Sequence, residues 1–159
     1  MSPQDLEAYK FLRLCSIDLD TTRHTLALLR RYKRADVRSV LIREAAVSYG
    51  RPFSKNHGEL IEFHKLSKAL VPDWANQLHK ELLRLRNQQF AHTDIKFYKP
   101  KVAQFTLAGR PWFPMSFKSY DYAALLAKLP QIQQLVHEVD QNLCTQLVRI
   151  ERRLTPRSS

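Results

Sequence analysis

Apolar residues recur at intervals of three and four over long stretches of this chain, a period that belongs to helices. Over residues 3–34 the positions Leu6, Tyr9, Phe11 or Leu12, Leu14, Ile17, Leu19, Leu26, Leu29 and Tyr32 predict one long helix. Asp18, Asp20 and Thr21 mark a point where that helix can kink. A second helix is expected over residues 36–49, with Val37, Val40, Leu41, Ala45 and Ala46 on one side, and Gly50 followed by Pro52 ends it. Residues 51–56 read as a polar turn, and Leu60, Ile61, Phe63 and Leu66 predict a short helix over 59–69, closed by Pro72. Asp73 then suits the N-cap of a helix over 74–91, carrying Trp74, Leu78, Leu82, Leu85 and Gln89 at helical spacing.

The pattern changes after residue 95. Val102, Phe105 and Leu107 before Gly109, then Trp112, Phe113 and Phe117 after it, predict a hairpin within 96–118, and Pro111 and Pro114 confine its second arm to an edge. A last helix begins near Tyr120, restarts at Pro130 and runs through Ile132, Leu135, Val139, Leu143, Leu147, Ile150 and Leu154. The expectation is therefore an all-α, up-and-down bundle of about five helices with one hairpin inserted before the last. It forms one domain over 1–154, followed by a disordered tail at 155–159. The chain has 159 residues and only three glycines, which argues against a β-rich or dinucleotide-binding architecture.

Composition adds a partner class. Lys and Arg number 26 against 15 Asp and Glu, a formal charge of +11. Such an excess points to a polyanion, and nucleic acid is the commonest one in a cytoplasm. No apolar run is long enough for a membrane span, and Asp5 and Glu7 stand where a signal peptide would be basic and then apolar, so a cytoplasmic location without membrane contact is expected. Cys15 and Cys144 lie in apolar helical patterns and read as core thiols. The histidines other than His92 form no ligand spacing, and no phosphate-binding glycine loop occurs, so neither a metal nor another cofactor is expected.

Candidate chemistry gathers in the run Arg84-Leu85-Arg86-Asn87-Gln88-Gln89-Phe90-Ala91-His92-Thr93-Asp94. A guanidinium can clamp a phosphate and an imidazole can move a proton near neutral pH, which together suffice for metal-free RNA cleavage. On an ideal helix, six steps of about 100° put Arg86 and His92 on different faces. The same residues also suit a plain helix end, with His92 near free carbonyls and Arg86 solvated. Arg51, in a Gly-Arg-Pro-Phe turn, serves either as a second phosphate ligand or as a cap on the preceding helix. Seven cations, Arg84, Arg86, Lys96, Lys99, Lys101, Arg110 and Lys118, against the single acid Asp94, interleave with Phe97, Tyr98, Trp112 and Phe113. This interleaving suits single-stranded RNA, and equally a hairpin whose rings pack onto the helices. A second cluster, Arg30, Arg31, Lys33, Arg34 and Arg38, reads first as a solvated helix end and second as an electrostatic funnel.

The run Leu85-Arg86-Asn87 through Phe90-Ala91-His92-Thr93-Asp94 resembles the signature of the HEPN superfamily (higher eukaryote and prokaryote nucleotide-binding): an Arg, a following polar residue, and a His a few residues on. With Tyr49-Gly50-Arg51-Pro52-Phe53-Ser54 upstream, it is most similar to the abortive-infection branch, over roughly residues 5–152. The resemblance implies a helical homodimer with two such motifs facing one cleft, and a metal-independent ribonuclease of a toxin or antiphage defence system. It implies that Arg86 stabilises the phosphate, Asn87 orients or binds, and His92 is the acid or base. Arg51, Arg84, Lys96, Lys99, Lys101 and Arg110 would hold RNA, and an antitoxin or regulatory protein is a further expected partner. Many relatives bind without cutting, so a non-catalytic module that holds RNA or a nucleotide and meets a protein partner is the alternative.

Overall fold

The computed structural model describes residues 2–90, 95–118 and 120–154. Most of them are helical. Helix α1 (Pro3–Arg31) starts with a reciprocal cap, in which Asp5 N–H donates to Ser2 Oγ and Ser2 N–H donates to the Asp5 carboxylate, both at 3.1 Å. It runs through residues 18–21 without interruption. The hydroxyls of Thr21, Thr22 and Thr25 donate back to the carbonyls of Ile17, Asp18 and Thr21, so these polar side chains find partners inside the helix and do not break it. Its buried stripe is Leu12, Cys15, Leu19, Thr22, Leu26 and Leu29, whereas Leu14 and Ile17, expected on the apolar side, are exposed.

Helix α2 (Ala35–Gly50) lies against α1 and buries Ile42, Ala45, Ala46, Ser48 and Tyr49, while Val40 faces out. The buried hydroxyl oxygens of Thr22 and Ser48 lie within hydrogen-bond distance, 2.9 Å, across the pair. Beyond α2, the expected helix over 59–69 is absent. Strands β1 (Asn56–His57) and β2 (Phe63–His64) pair there instead, followed by 3-10 turns at Lys68–Leu70 and Asp73–Ala75. The cause is Glu7 of α1, whose carboxylate accepts the N–H groups of Glu59 (2.9 Å) and Leu60 (2.7 Å), with Ile61 at 3.4 Å. Donors held from outside favour the open loop. Asp73 does not cap the next helix either. It sits inside the 3-10 turn, with Pro72 at that turn's N-cap and Ala75 at the N-cap of α3 (Asn76–Leu85).

After α3 come a single π-helical turn (Arg86–Phe90) and the short helix α4 (Ile95–Tyr98). The hairpin follows: β3 (Lys101–Val102) pairs with β6 (Met115–Ser116), and β4 (Phe105–Leu107) pairs with β5 (Arg110–Trp112), in one continuous register. Ala108 and Gly109 turn the chain with φ of +47° and +75°, the left-handed pair that suits a two-residue hairpin loop. Helices α5 (Tyr122–Ala127) and α6 (Leu129–Leu154) are the last described elements, and α6 buries Ile132, Leu135, Val136, Val139, Leu143 and Leu147 against α1. Cys15 is buried as expected, and burial pushes its thiol up to about 12; Cys144, expected in the core, is exposed. Among the described residues, no helix is long and apolar enough to cross a membrane. The expected tail at 155–159 lies outside the described residues.

Candidate functional site

Helix α3 carries its buried side, His79, Leu82 and Leu85, straight into the π-helical turn, where Gln89 continues it into the core. In a π turn the backbone bonds span five residues, not four, so 100° steps no longer apply beyond Leu85. Single π turns inside helices occur frequently at functional sites. Here the turn contains Arg86 and Asn87. Arg86 NH1 donates to Asn87 Oδ1 at 2.8 Å, which fixes the guanidinium beside its neighbour, and Arg86 Nε is buried without a partner among the described residues.

What positions the Arg86 stem is Gly50, the last residue of α2. A methyl group there would stand 3.1 Å from Arg86 Cγ and 3.4 Å from Cβ and Cδ. Helix α2 ends at Gly50 as expected, without a positive φ there, and the glycine lets the Arg86 stem lie against the helix. The two sequence segments singled out above, around Gly50 and around Arg86, thus meet in space. Arg51 does not point the same way. Its guanidinium reaches Asp18 of α1 at 3.5 Å, and its backbone N–H bonds to the carbonyls of Val47 and Ser48. Burial raises the Asp18 carboxyl above its ordinary value, against the lowering effect of Arg51. Arg51 therefore ties α2 to α1 in this structure.

The far end of the π turn is held by aromatics. Phe90 meets Tyr120 edge-on (centroids 5.9 Å) and lies parallel to Tyr122 (6.2 Å), and the Arg43 guanidinium stands 5.7 Å from the Phe90 centroid. The Tyr98 hydroxyl donates to the Gln89 carbonyl at 3.2 Å, and Lys118 N–H donates to the Tyr98 carbonyl at 2.8 Å. The base of the hairpin is in this way fastened to the turn that carries Arg86. Below it, buried Tyr49 places its hydroxyl 2.8 Å from His79 Nδ1, with Phe53 packed on both rings. Burial lowers His79 to about 4, helped by the charges of Lys68 and Lys65.

The expected site residues thus separate, with Arg51 on Asp18 apart from the others. Arg86 and Asn87 touch each other in the π turn; Arg84 is exposed on the last turn of α3. His92 lies outside the described residues, as does Asp94. Lys96 sits in α4, Lys99 at the reversal that follows it with φ +45°, Lys101 in β3 and Arg110 in β5, the last three exposed. The contributions of Gly50, Arg43 and Tyr98 escape sequence reasoning. A hint for Gly50 exists in the scarcity of glycine, which makes each one worth a steric explanation. The chain matches no family model, no curated protein and no solved structure.

Proposed function

We propose that this chain is a metal-independent endoribonuclease of the HEPN type, an RNA-targeting effector of a prokaryotic toxin or antiphage defence (abortive infection) system acting in the cytoplasm. Its helices pack as an up-and-down bundle, and two copies form a homodimer with paired Arg86 and His92 at one cleft. The observation that carries this reading is the π turn: Arg86, its stem against Gly50, is held to Asn87 at the foot of a strongly basic hairpin.

Cleavage needs no redox partner. The ribose 2′-oxygen attacks the adjacent phosphorus, its proton passes to a neutral His92, and the bond to the 5′-oxygen breaks as a protonated His92 supplies the leaving proton. The products are a 2′,3′-cyclic phosphate and a 5′-hydroxyl. Arg86 stabilises the charge that builds on the phosphoryl oxygens, and Asn87, whose Oδ1 accepts from Arg86 NH1, orients the guanidinium. A dimeric cleft lets Arg86 of one protomer serve a phosphate approached by His92 of its partner. The test is incubation of purified protein with mixed cellular RNA and a chelator, followed by end-group analysis. Cyclic phosphate ends that vanish in His92→Ala and Arg86→Ala support the proposal. Salt-sensitive RNA binding without products, unchanged in His92→Ala, selects a non-catalytic binding module instead.

A further inference from the structure

The hairpin carries its apolar residues in the open. Val102, Phe105, Leu107, Trp112, Phe113 and Met115 are each between 56% and 64% exposed. Rings that served only to pack the ribbon onto the helices would be buried, so that explanation fails for Trp112 and Phe113, while Phe97 and Tyr98, half-buried at the base, do pack there. An isolated two-stranded ribbon is marginally stable in water, and this one leaves both faces uncovered.

Register sorts the side chains. Residues directly opposite in an antiparallel pair share a face. Lys101 faces Ser116, Phe105 faces Trp112 and Leu107 faces Arg110, so one face presents an aromatic pair with a cation toward either end. The other face holds Val102 opposite Met115, together with Phe113. Residues 95–118 contain five cations, Lys96, Lys99, Lys101, Arg110 and Lys118, and no acid. A second copy of the same ribbon would bring like charges together, whereas a polyanion with flat rings complements both features. Duplex ends its fit here, because paired bases keep their faces stacked on one another and unavailable to Phe105 and Trp112.

We propose that the β3–β6 ribbon is a binding arm for single-stranded RNA: bases stack on Trp112 and Phe105, Lys101 and Arg110 take the flanking phosphates, and the strand leads down to the Arg86 turn. The fastening of the arm's base, from Tyr98 to the Gln89 carbonyl and from Lys118 to Tyr98, fixes the direction of that lead. The choice of RNA rests on the ribonuclease reading; the stacking surface itself does not.

The chain has two tryptophans, and Trp74 bonds Glu138 of α6 at 3.1 Å, away from the arm in sequence, so Trp74→Phe leaves Trp112 as the sole reporter. That protein is titrated with a labelled 12-nucleotide single-stranded RNA bearing 2′-O-methyl riboses, which cannot be cut. Trp112 fluorescence should be quenched in step with the rise in RNA anisotropy. Trp112→Ala with Phe105→Ala should weaken binding about 10-fold or more while helical content stays intact, since each stacked base contributes on this scale. A 12-base-pair duplex should bind more weakly and leave Trp112 unquenched. Binding without quenching, an unaltered affinity in the double variant, or a variant that only turns dimer into monomer would each overturn the proposal, the last by showing a second copy as the occupant. Cleavage of unmodified RNA is read separately. Quenching without cleavage keeps the arm and removes the nuclease, and cleavage without quenching does the reverse.

Discussion

Sequence singles out Arg86 but does not show its setting. The spacing of Arg86 and His92 belongs to an ideal helix, and the chain leaves that geometry at Arg86, where the π turn begins. Gly50 is the last residue of α2, as its sequence context gives, but sequence hides what stands opposite it. The structure gives Gly50→Ala opposing effects. Within a helix the change normally stabilises by about 0.5–1 kcal/mol, yet here the new methyl crowds the Arg86 stem at 3.1 Å. The expected outcome is an unchanged or slightly higher melting temperature with RNA cleavage reduced several-fold; equal activity would mean that the Arg86 position does not matter. His79 gives a second residue-scale prediction. Its value of about 4 lies below the ordinary 6.5, so the unfolded chain binds the proton more readily between those limits. Stability is complete above about pH 6.5 and falls as the pH drops through 4. With Nδ1 unprotonated, the Tyr49 hydroxyl donates to it, and protonation removes that acceptor. Melting curves from pH 7 to pH 4 should show a loss that is smaller in His79→Gln.

At the scale of elements, the long helices were readable because their apolar stripes repeat over many turns, as α1 and α6 do. Register within the stripe was less so: Leu14 and Ile17 continue the apolar count but leave the buried face, which follows Leu12, Cys15 and Leu19. The helix expected over 59–69 failed for a reason that no local pattern contains, since the deciding group, Glu7, lies 52 residues before Glu59. Glu7 also accepts from His64 Nε2 at 2.8 Å, and His64 stacks on Phe11 with centroids 5.0 Å apart. That hydrogen bond from His64, joined by the three backbone N–H groups, lowers the Glu7 carboxyl to about 2 against burial, which raises it. A carboxyl lowered in this way stabilises the fold above its ordinary 4.5, and its contribution is lost as the pH falls toward 2. Glu7→Gln should therefore lower the melting temperature by several degrees at pH 7 and flatten its acid dependence between pH 4.5 and 2. A variant as stable as the parent at pH 7 would show that the loop holds its shape without the carboxylate.

For the whole molecule, charge pointed to a polyanion before any element was placed, and the hairpin shows where part of that charge goes. Lys101 and Arg110 stand exposed among uncovered rings, a distribution that composition alone cannot reveal. The paired site remains the central claim, and a mixing experiment tests it most directly. Arg86→Ala and His92→Ala proteins are each assayed for RNA cleavage with chelator present, then dissociated together, reassembled and assayed again. Each variant alone should cut at least about 100-fold more slowly than the parent, as expected on losing a positioned acid, base or charge stabiliser. Random pairing makes half the dimers mixed, and each mixed dimer regains one of its two sites, so the mixture should recover about a quarter of parental activity. Full cleavage by either variant alone, or no recovery on mixing, would contradict an active site built from Arg86 of one protomer and His92 of the other.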